Sequence, residues 1–326
     1  MAELRVHYLN VKNGDCIIFE RSSSGRVTVI DISCGNLTTE LIEKEKAFKK
    51  PSGDYGMRNH PTNPIDYLTS KGISEIWRFI LTHPDMDHMD GMKKLFTDKT
   101  ISNFWDCGIR RDKPDFEENN LYLEDDWDFY EDLISGKVNG PKVITPRAGD
   151  IGQYWNVDND NKEGDGDYIS IVAPNDELIK SANDNGDINA ASYVIVYRSS
   201  AGRIIFPGDS NDKTWEYILQ NHEDLVSDAA VLFAPHHGRK AEQDYSFLDV
   251  VKPRVSFFGC APSEHLAYSA WQNRDLLYFT NNQCGNVHVY PENKKVKVYI
   301  ENYKYANDYT NGKTQQKDGY WFLCEV

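Results

Sequence analysis

Residues 82–91 read THPDMDHMDG, placing His83 and His88 among Asp85, Asp87 and Asp90, directly after the apolar run IWRFIL. Carboxylates held this close repel one another, and beside a buried strand they need compensating positive charge. A divalent metal supplies it, and imidazole and carboxylate are ordinary ligands for one. A loop leaving a strand can point alternate residues inward. His83, Asp85, Asp87 and His88 are therefore candidate ligands, with the adjacent pair Asp87–His88 split between two ions. More candidates stand where other apolar runs end. Asp209 closes RIIFPGD, in which Pro207–Gly208 forces a sharp exit, and His236-His237-Gly238 follow AAVLFAP. The chemistry of such a set is metal-assisted hydrolysis. Paired divalent ions lower the pKa of water toward ~7 and clamp the attacking and leaving oxygens of a displacement. His7, His60, His222 and His288 read instead as satisfied side chains, and Asp15 and Asp31 as turn braces.

These ligands can meet only if the strands carrying them end on one edge. The opening predicts strands at LRVHYLNV and CIIFERS around the turn Lys12–Asp15, then RVTVIDI, which runs through Asp31. Residues 36–50 read as a helix, 51–64 as loop, and IDYLTSKG and GMKKLFTD as helices around the strand that feeds residues 82–91. YISIVAP and the hairpin SYVIVYR–RIIFPGD follow, then helices alternating with strands as far as YWFLCEV. Hairpins at both ends and strand–helix alternation between them predict a layered α/β sandwich, not a doubly wound parallel sheet. Residues 106–167 are acidic and aromatic and read as a partly helical surface insertion. Within it, DNDNKEGDGD does not match EF-hand spacing and is not read as a calcium loop.

A chain of 326 residues can bury a large core. The net charge of −15 argues against a broad non-specific DNA-binding surface, although bound metals reverse the sign locally. No apolar run reaches membrane-spanning length, and the start lacks the basic and apolar regions of a leader. Six cysteines without a C-x-x-C pair suit a reducing compartment. The expectation is a cytoplasmic protein with no membrane span.

The order H-x-D-x-D-H, then G-D, then H-H-G resembles the metallo-β-lactamase superfamily. LNVKNGDCIIFE, VIDISCG, LTHPDMDHMDG, NAASYVIVYRSSAGRIIFPGD, LFAPHHG and TNNQCGNVHVY are similar, segment by segment, to the hydrolase domain of ComEC-type DNA-uptake proteins. The resemblance covers most of the chain outside residues 106–167 and a short C-terminal extension from about 301. It implies one domain over 1–326, a four-layered αββα sandwich of two mixed sheets with flanking helices. It also implies two divalent metal ions. Two departures stand out: Asp85 replaces the second histidine of the loop, and no histidine occurs from 89 to 208. The ComEC-type branch shares both.

The implied first site has His83, Asp85 and a bridging Asp209. The second has Asp87, His88, Asp209 and a histidine of H-H-G, with His236 favoured as ligand and His237 in support; the sequence alone does not separate the two. Zinc is expected, and the oxygen-rich first site also admits manganese. Asp87, His237 and His265 form the implied catalytic set, His265 as a proton donor to a leaving group. Asn189 and Ser192 match an N-x-x-S of that branch and are candidate substrate contacts, or else a cap for the next strand. The implied function is a dinuclear phosphodiesterase or nuclease acting on DNA or nucleotides. A hydrolase of a small ester, nucleotide or lactam on the same site is the first alternative. The second is a non-enzymatic, metal-stabilised module whose acidic segment binds a protein partner. The segment is expected over the metal edge, where it would restrict polyanionic substrates.

Overall fold

The computed structural model describes residues 4–21, 24–38, 55–117, 121–152, 154–157, 166–241 and 243–326. Short β-branched and aromatic runs pair into two mixed sheets. The ten-stranded sheet has the order β15-β16-β14-β13-β1-β2-β3-β4-β5-β6. Its strands are β1 (Leu4–Tyr8), β2 (Ile17–Arg21), β3 (Val27–Ile30), β4 (Glu75–Leu81), β5 (Thr100–Asp106), β6 (Lys142–Ile144), β13 (Val287–Glu292), β14 (Lys295–Ile300), β15 (Gln316–Lys317) and β16 (Tyr320–Glu325). The six-stranded sheet has the order β12-β11-β10-β9-β8-β7. It comprises β7 (Ile169–Ala173), β8 (Val194–Ser199), β9 (Gly202–Phe206), β10 (Val231–Phe233), β11 (Val255–Phe258) and β12 (Tyr278–Thr280). β3 to β6 run parallel, as do β9 to β12, while the hairpin strands are antiparallel.

The inner faces of the sheets pack on each other through aromatic rings. Phe19 of β2 stacks on Phe206 of β9 at 5.5 Å, and Tyr8 of β1 meets Phe233 of β10 edge-on at 5.0 Å. Outside the large sheet, helices Pro64–Ser70, Met92–Asp98 and Glu124–Ile134 bury Ile65, Leu95 and Trp127 in a cluster with Phe79 and Phe104. Outside the smaller sheet, helix Asp212–Asn221 buries Trp215, which stacks on Phe247 at 4.1 Å. Helices therefore cover both sheets, giving the expected αββα layering.

The segment 106–167 is not laid over the surface as expected. Trp127, Tyr130 and Leu133 lie at helical spacing and are buried, so helix Glu124–Ile134 is a core helix; its carboxylates face outward except Asp126, which is buried and accepts Gly91 N at 2.9 Å and Lys93 N at 2.8 Å. β6 pairs with β5, and Asp167 is buried among three guanidinium groups. Arg26 donates to its Oδ1 at 2.7 Å and Arg21 at 3.4 Å, while Arg78 donates to Oδ2 at 3.3 Å. The C-terminal extension likewise joins the sheet, where β16 pairs with β14. TISNFWD, not read as a strand, forms β5, and DELIKSANDN forms a helix capped by Asn175. Residues 36–38 of the helix expected over 36–50 are not helical, and its remainder and most of DNDNKEGDGD fall outside the described residues. Among the described residues no helix is long and apolar enough to cross a membrane.

Candidate metal centre

The centre assembles where β1, β3, β4, β9 and β10 end. Asp31 follows β3 in the left-handed region at φ 56°. Its carboxylate accepts Thr82 N and Thr82 Oγ1, both at 2.7 Å, which fixes the exit of β4. Asp85 then caps a 3₁₀ turn over Met86–His88, accepting Met86 N at 2.8 Å. From the opposite side the β1–β2 turn leans on this loop. Gly14 has φ 67°, and a Cβ there would lie 1.7 Å from the Asp87 carbonyl oxygen, so only glycine fits. After β9, Gly208 presses against Thr82, and its carbonyl accepts His236 N at 3.1 Å. His236 and His237 both take left-handed backbone, φ 53° and 55°, a conformation costing about 1–3 kcal/mol per non-glycine residue. Two consecutive residues so twisted turn both rings toward Asp209.

Asp209 separates two groups of nitrogens. Its Oδ1 lies 3.3 Å from His88 Nε2 and 3.5 Å from His237 Nε2. Its Oδ2 lies 3.7 Å from His236 Nε2 and 3.9 Å from His83 Nε2. Asp87 closes the first group, its Oδ2 3.5 Å from His237 Nε2 and its Oδ1 3.8 Å from His88 Nε2. Three sets, His83–His88–Asp209, Asp87–His88–His237 and Asp15–Asp209–His237, bring ligand atoms within 4.8 Å of one another.

A metal fits these residues. His83 Nε2, His88 Nε2, His237 Nε2 and Asp209 Oδ1 are buried without a hydrogen-bond partner, an arrangement costly for polar atoms with nothing between them. Atoms bound tetrahedrally at about 2.1 Å lie about 3.4 Å apart, near the spacings seen here. The far sides of two rings are held by carboxylates. Asp31 Oδ2 lies 2.8 Å from His88 Nδ1, and Asp15 Oδ2 lies 2.9 Å from His237 Nδ1. Tyr8 donates to Asp15 Oδ1 at 2.8 Å. Carboxylates behind histidines fix the ring and its tautomer.

The charges are strongly interdependent. Burial disfavours a charged His237, yet Asp209, Asp15 and Asp87 outweigh it and hold the ring up at about 10. His88 is raised in the same way by Asp209, Asp31 and Asp87 against burial. Burial, reinforced by His88, pushes His83 down to about 3. Asp209 stays well below the usual carboxylate range because His237 and His88 overcome its burial. The carboxylates thus favour positive charge at the centre, which a divalent ion would supply. Asp87 and His236 are partly open, with side chains 20% and 30% exposed, so solvent reaches the centre on their side.

The structure brings together His83, Asp87, His88, Asp209, His236 and His237. It does not bring in Asp85, whose carboxylate faces Arg111 Nη1 at 3.4 Å and caps its own turn. Against Asp87 it places His237, where His236 was the favoured ligand. Ser192 is buried against Gly208 with its hydroxyl unpartnered, and Tyr193 N donates to Thr82 O at 2.9 Å. Asn189 lines a neighbouring cleft of about 730 Å³. His265 is exposed; its carbonyl accepts Lys240 N at 2.7 Å just beyond the H-H-G loop. Asp15 and Asp31 are the residues that sequence reasoning underrated. Asp31 ends the strand-like run RVTVIDI and Asp15 closes the turn before CIIFERS, positions that by themselves mark a turn carboxylate and not a histidine's partner.

No protein-family model and no curated protein matches the sequence. Solved structures do match. The metallo-beta-lactamase fold protein YhfI from Bacillus subtilis superposes with a TM-score of 0.50 over 88% of this chain and 99% of its own, at 9% identity. Unliganded yeast PDE1 aligns over 86% of this chain and 98% of its own, with a TM-score of 0.43 and 12% identity. A diphosphatase from the PhnP family covers 89% and 99%, with a TM-score of 0.42 and 10% identity. Identities this low speak to fold alone. The layering and the superposition on YhfI agree, and the chain has the metallo-β-lactamase fold.

Proposed function

We propose that the chain is a metal-dependent hydrolase with a dinuclear centre that cleaves phosphodiesters. The observation that carries this reading is Asp209, whose Oδ1 lies nearest His88 and His237 and whose Oδ2 lies nearest His236 and His83, four histidine nitrogens around one carboxylate. Asp87, His88, His237 and Asp209 would hold one ion; His83, His236 and Asp209 would hold the other. With zinc or manganese bound, such a centre supplies Lewis acidity and a nucleophilic water at neutral pH. The chain's own residues set the geometry. Asp31 and Asp15 orient His88 and His237, Gly14 presses the loop into register, and the open side at Asp87 and His236 admits the substrate. The segments similar to ComEC-type hydrolase domains support phosphodiesters over lactams.

Elemental analysis, with turnover of bis-p-nitrophenyl phosphate before and after chelation, tests the reading. The expected result is up to two transition-metal ions per chain and activity lost on chelation and restored by zinc or manganese. No metal uptake on dialysis overturns it. Cleavage of carboxylic esters or lactams alone keeps the centre and removes the phosphodiester assignment.

A further inference from the structure

Beside the centre lies the cleft of about 730 Å³ that Asn189 lines, bounded also by Asp85, Arg110, Arg111, Asn183 and Asp187. Its size falls within the range that encloses a small ligand. Arg110 is preorganised: its backbone N–H donates to Asn183 Oδ1 at 2.9 Å and its Nη1 to Asp106 Oδ2 at 2.9 Å, while half of its side chain stays exposed. Arg111 lies over the Trp127 ring at 5.8 Å, and one nitrogen reaches Asp85 Oδ1 and the Pro84 carbonyl, both at 3.4 Å. Asp85 belongs to the loop between His83 and Asp87, so this contact joins the cleft to the centre. Of the three carboxylates in the wall, Asp187 is engaged by Asn211 Nδ2 at 3.1 Å to both oxygens and by Lys213 at 3.4 Å, and Asp85 by Arg111. Asp112 is the third. Guanidinium forks beside a phosphodiester-cleaving centre match a phosphate in geometry and charge. A duplex would instead need a long basic track, which a net charge of −15 opposes.

We propose that this cleft holds one nucleotide unit next to the scissile bond, and that Arg110 and Arg111 bind the phosphate flanking it. The preferred substrate class is then a short single-stranded phosphodiester carrying a second phosphate. The proposal rests on the phosphodiesterase reading above, and the experiment separates the two. Metal-loaded protein is assayed on the dinucleotides pdTpdT and dTpdT, which differ only in a 5′-phosphate. Metal-free protein is titrated with dTMP by calorimetry. The wild type should favour pdTpdT through a KM lower by about tenfold, as charge-assisted contacts warrant. Arg111→Gln and Arg110→Gln should raise KM for pdTpdT several-fold more than KM for dTpdT, erasing the preference for the 5′-phosphate, and the double variant should lose dTMP binding. Lys304→Met, a distant charge control, should change neither, and circular dichroism should show all variants folded. Hydrolysis of both dinucleotides with equal KM overturns the cleft assignment and leaves the hydrolase reading standing. Hydrolysis of neither overturns the phosphodiesterase reading on which the proposal rests. Binding of dTMP that survives the double variant overturns the cleft assignment whatever the turnover.

Discussion

His237 Nδ1 stands 2.9 Å from Asp15 Oδ2, so a turn near the start of the chain holds a ring from its last third. Asp15→Asn keeps the shape but no longer favours a proton on that nitrogen. Metal affinity should fall about 10–100-fold, as for other carboxylates behind ligating histidines. Competition against a chromogenic chelator measures it, and unchanged affinity would remove Asp15 from the centre.

Asp209→Ala should abolish both metal uptake and turnover, because it takes away the group that both sets of histidines face. Asp212→Ala should do little: its carboxylate accepts Asp244 N at 3.1 Å, away from the cluster. Metal content and bis-p-nitrophenyl phosphate hydrolysis give the readout. Wild-type turnover in Asp209→Ala means that the site is misassigned.

Gly14 and Gly25 both have φ 67°, but a Cβ on Gly14 would strike the Asp87 carbonyl, while Gly25 has open space. Gly25→Ala should therefore cost only the backbone preference, about 1–2 kcal/mol. Gly14→Ala should cost more and weaken metal binding as well. Urea denaturation with metal titration compares them, and equal losses with intact binding would show that the close approach is unimportant.

Asp167→Asn leaves Arg78 fully buried without its counter-charge, although burial already pulls that guanidinium down to about 10. The expected loss is about 3–5 kcal/mol. Arg78→Met combined with Asp167→Asn should recover part of it. A double variant as unstable as the single one would contradict the uncompensated-charge account.

His288 is buried, accepts or donates to Tyr67 OH at 2.8 Å, and burial holds it well below the ordinary histidine range. The unfolded chain takes up a proton near pH 6.5 that the folded chain refuses. Stability from this group is therefore present above pH 6.5 and lost as pH falls below it, by up to about 1.4 kcal/mol per pH unit. Denaturation midpoints at pH 7.5 and 5.5 should diverge less in His288→Gln than in the wild type. An identical divergence would exclude His288 as the source.

The loops that converge on the candidate centre were legible because crowded carboxylates and histidines beside buried strands call for compensating positive charge, and the hairpins and alternating runs announced the sandwich. Asp85 was misplaced because inward alternation assumes an extended loop. The 3₁₀ turn at Met86–His88 breaks that alternation and sends Asp85 toward Arg111. His236 and His237 could not be ranked because their shared left-handed backbone, invisible in sequence, aims both rings at Asp209. Asp15 and Asp31 look like any turn carboxylate until tertiary structure sets a histidine before them. The stripe Trp127–Tyr130–Leu133 was hidden by surrounding acid, so removing residues 106–167 should unfold the chain instead of widening its substrate range.

No continuous stretch of chain carries the centre: Asp15, Asp31, residues 83–88, Asp209 and His236–His237 must all arrive. Contacts of such long separation form only after many loops have closed. During synthesis, high-affinity capture of the proposed ion would therefore wait until His237 has emerged and docked, and earlier chain lengths would offer only scattered, weak donors. An ion bound there would stabilise the native state in proportion to the logarithm of its free concentration. On the proposed reading, the lifetime of the folded protein would then be tied to the metal supply around it.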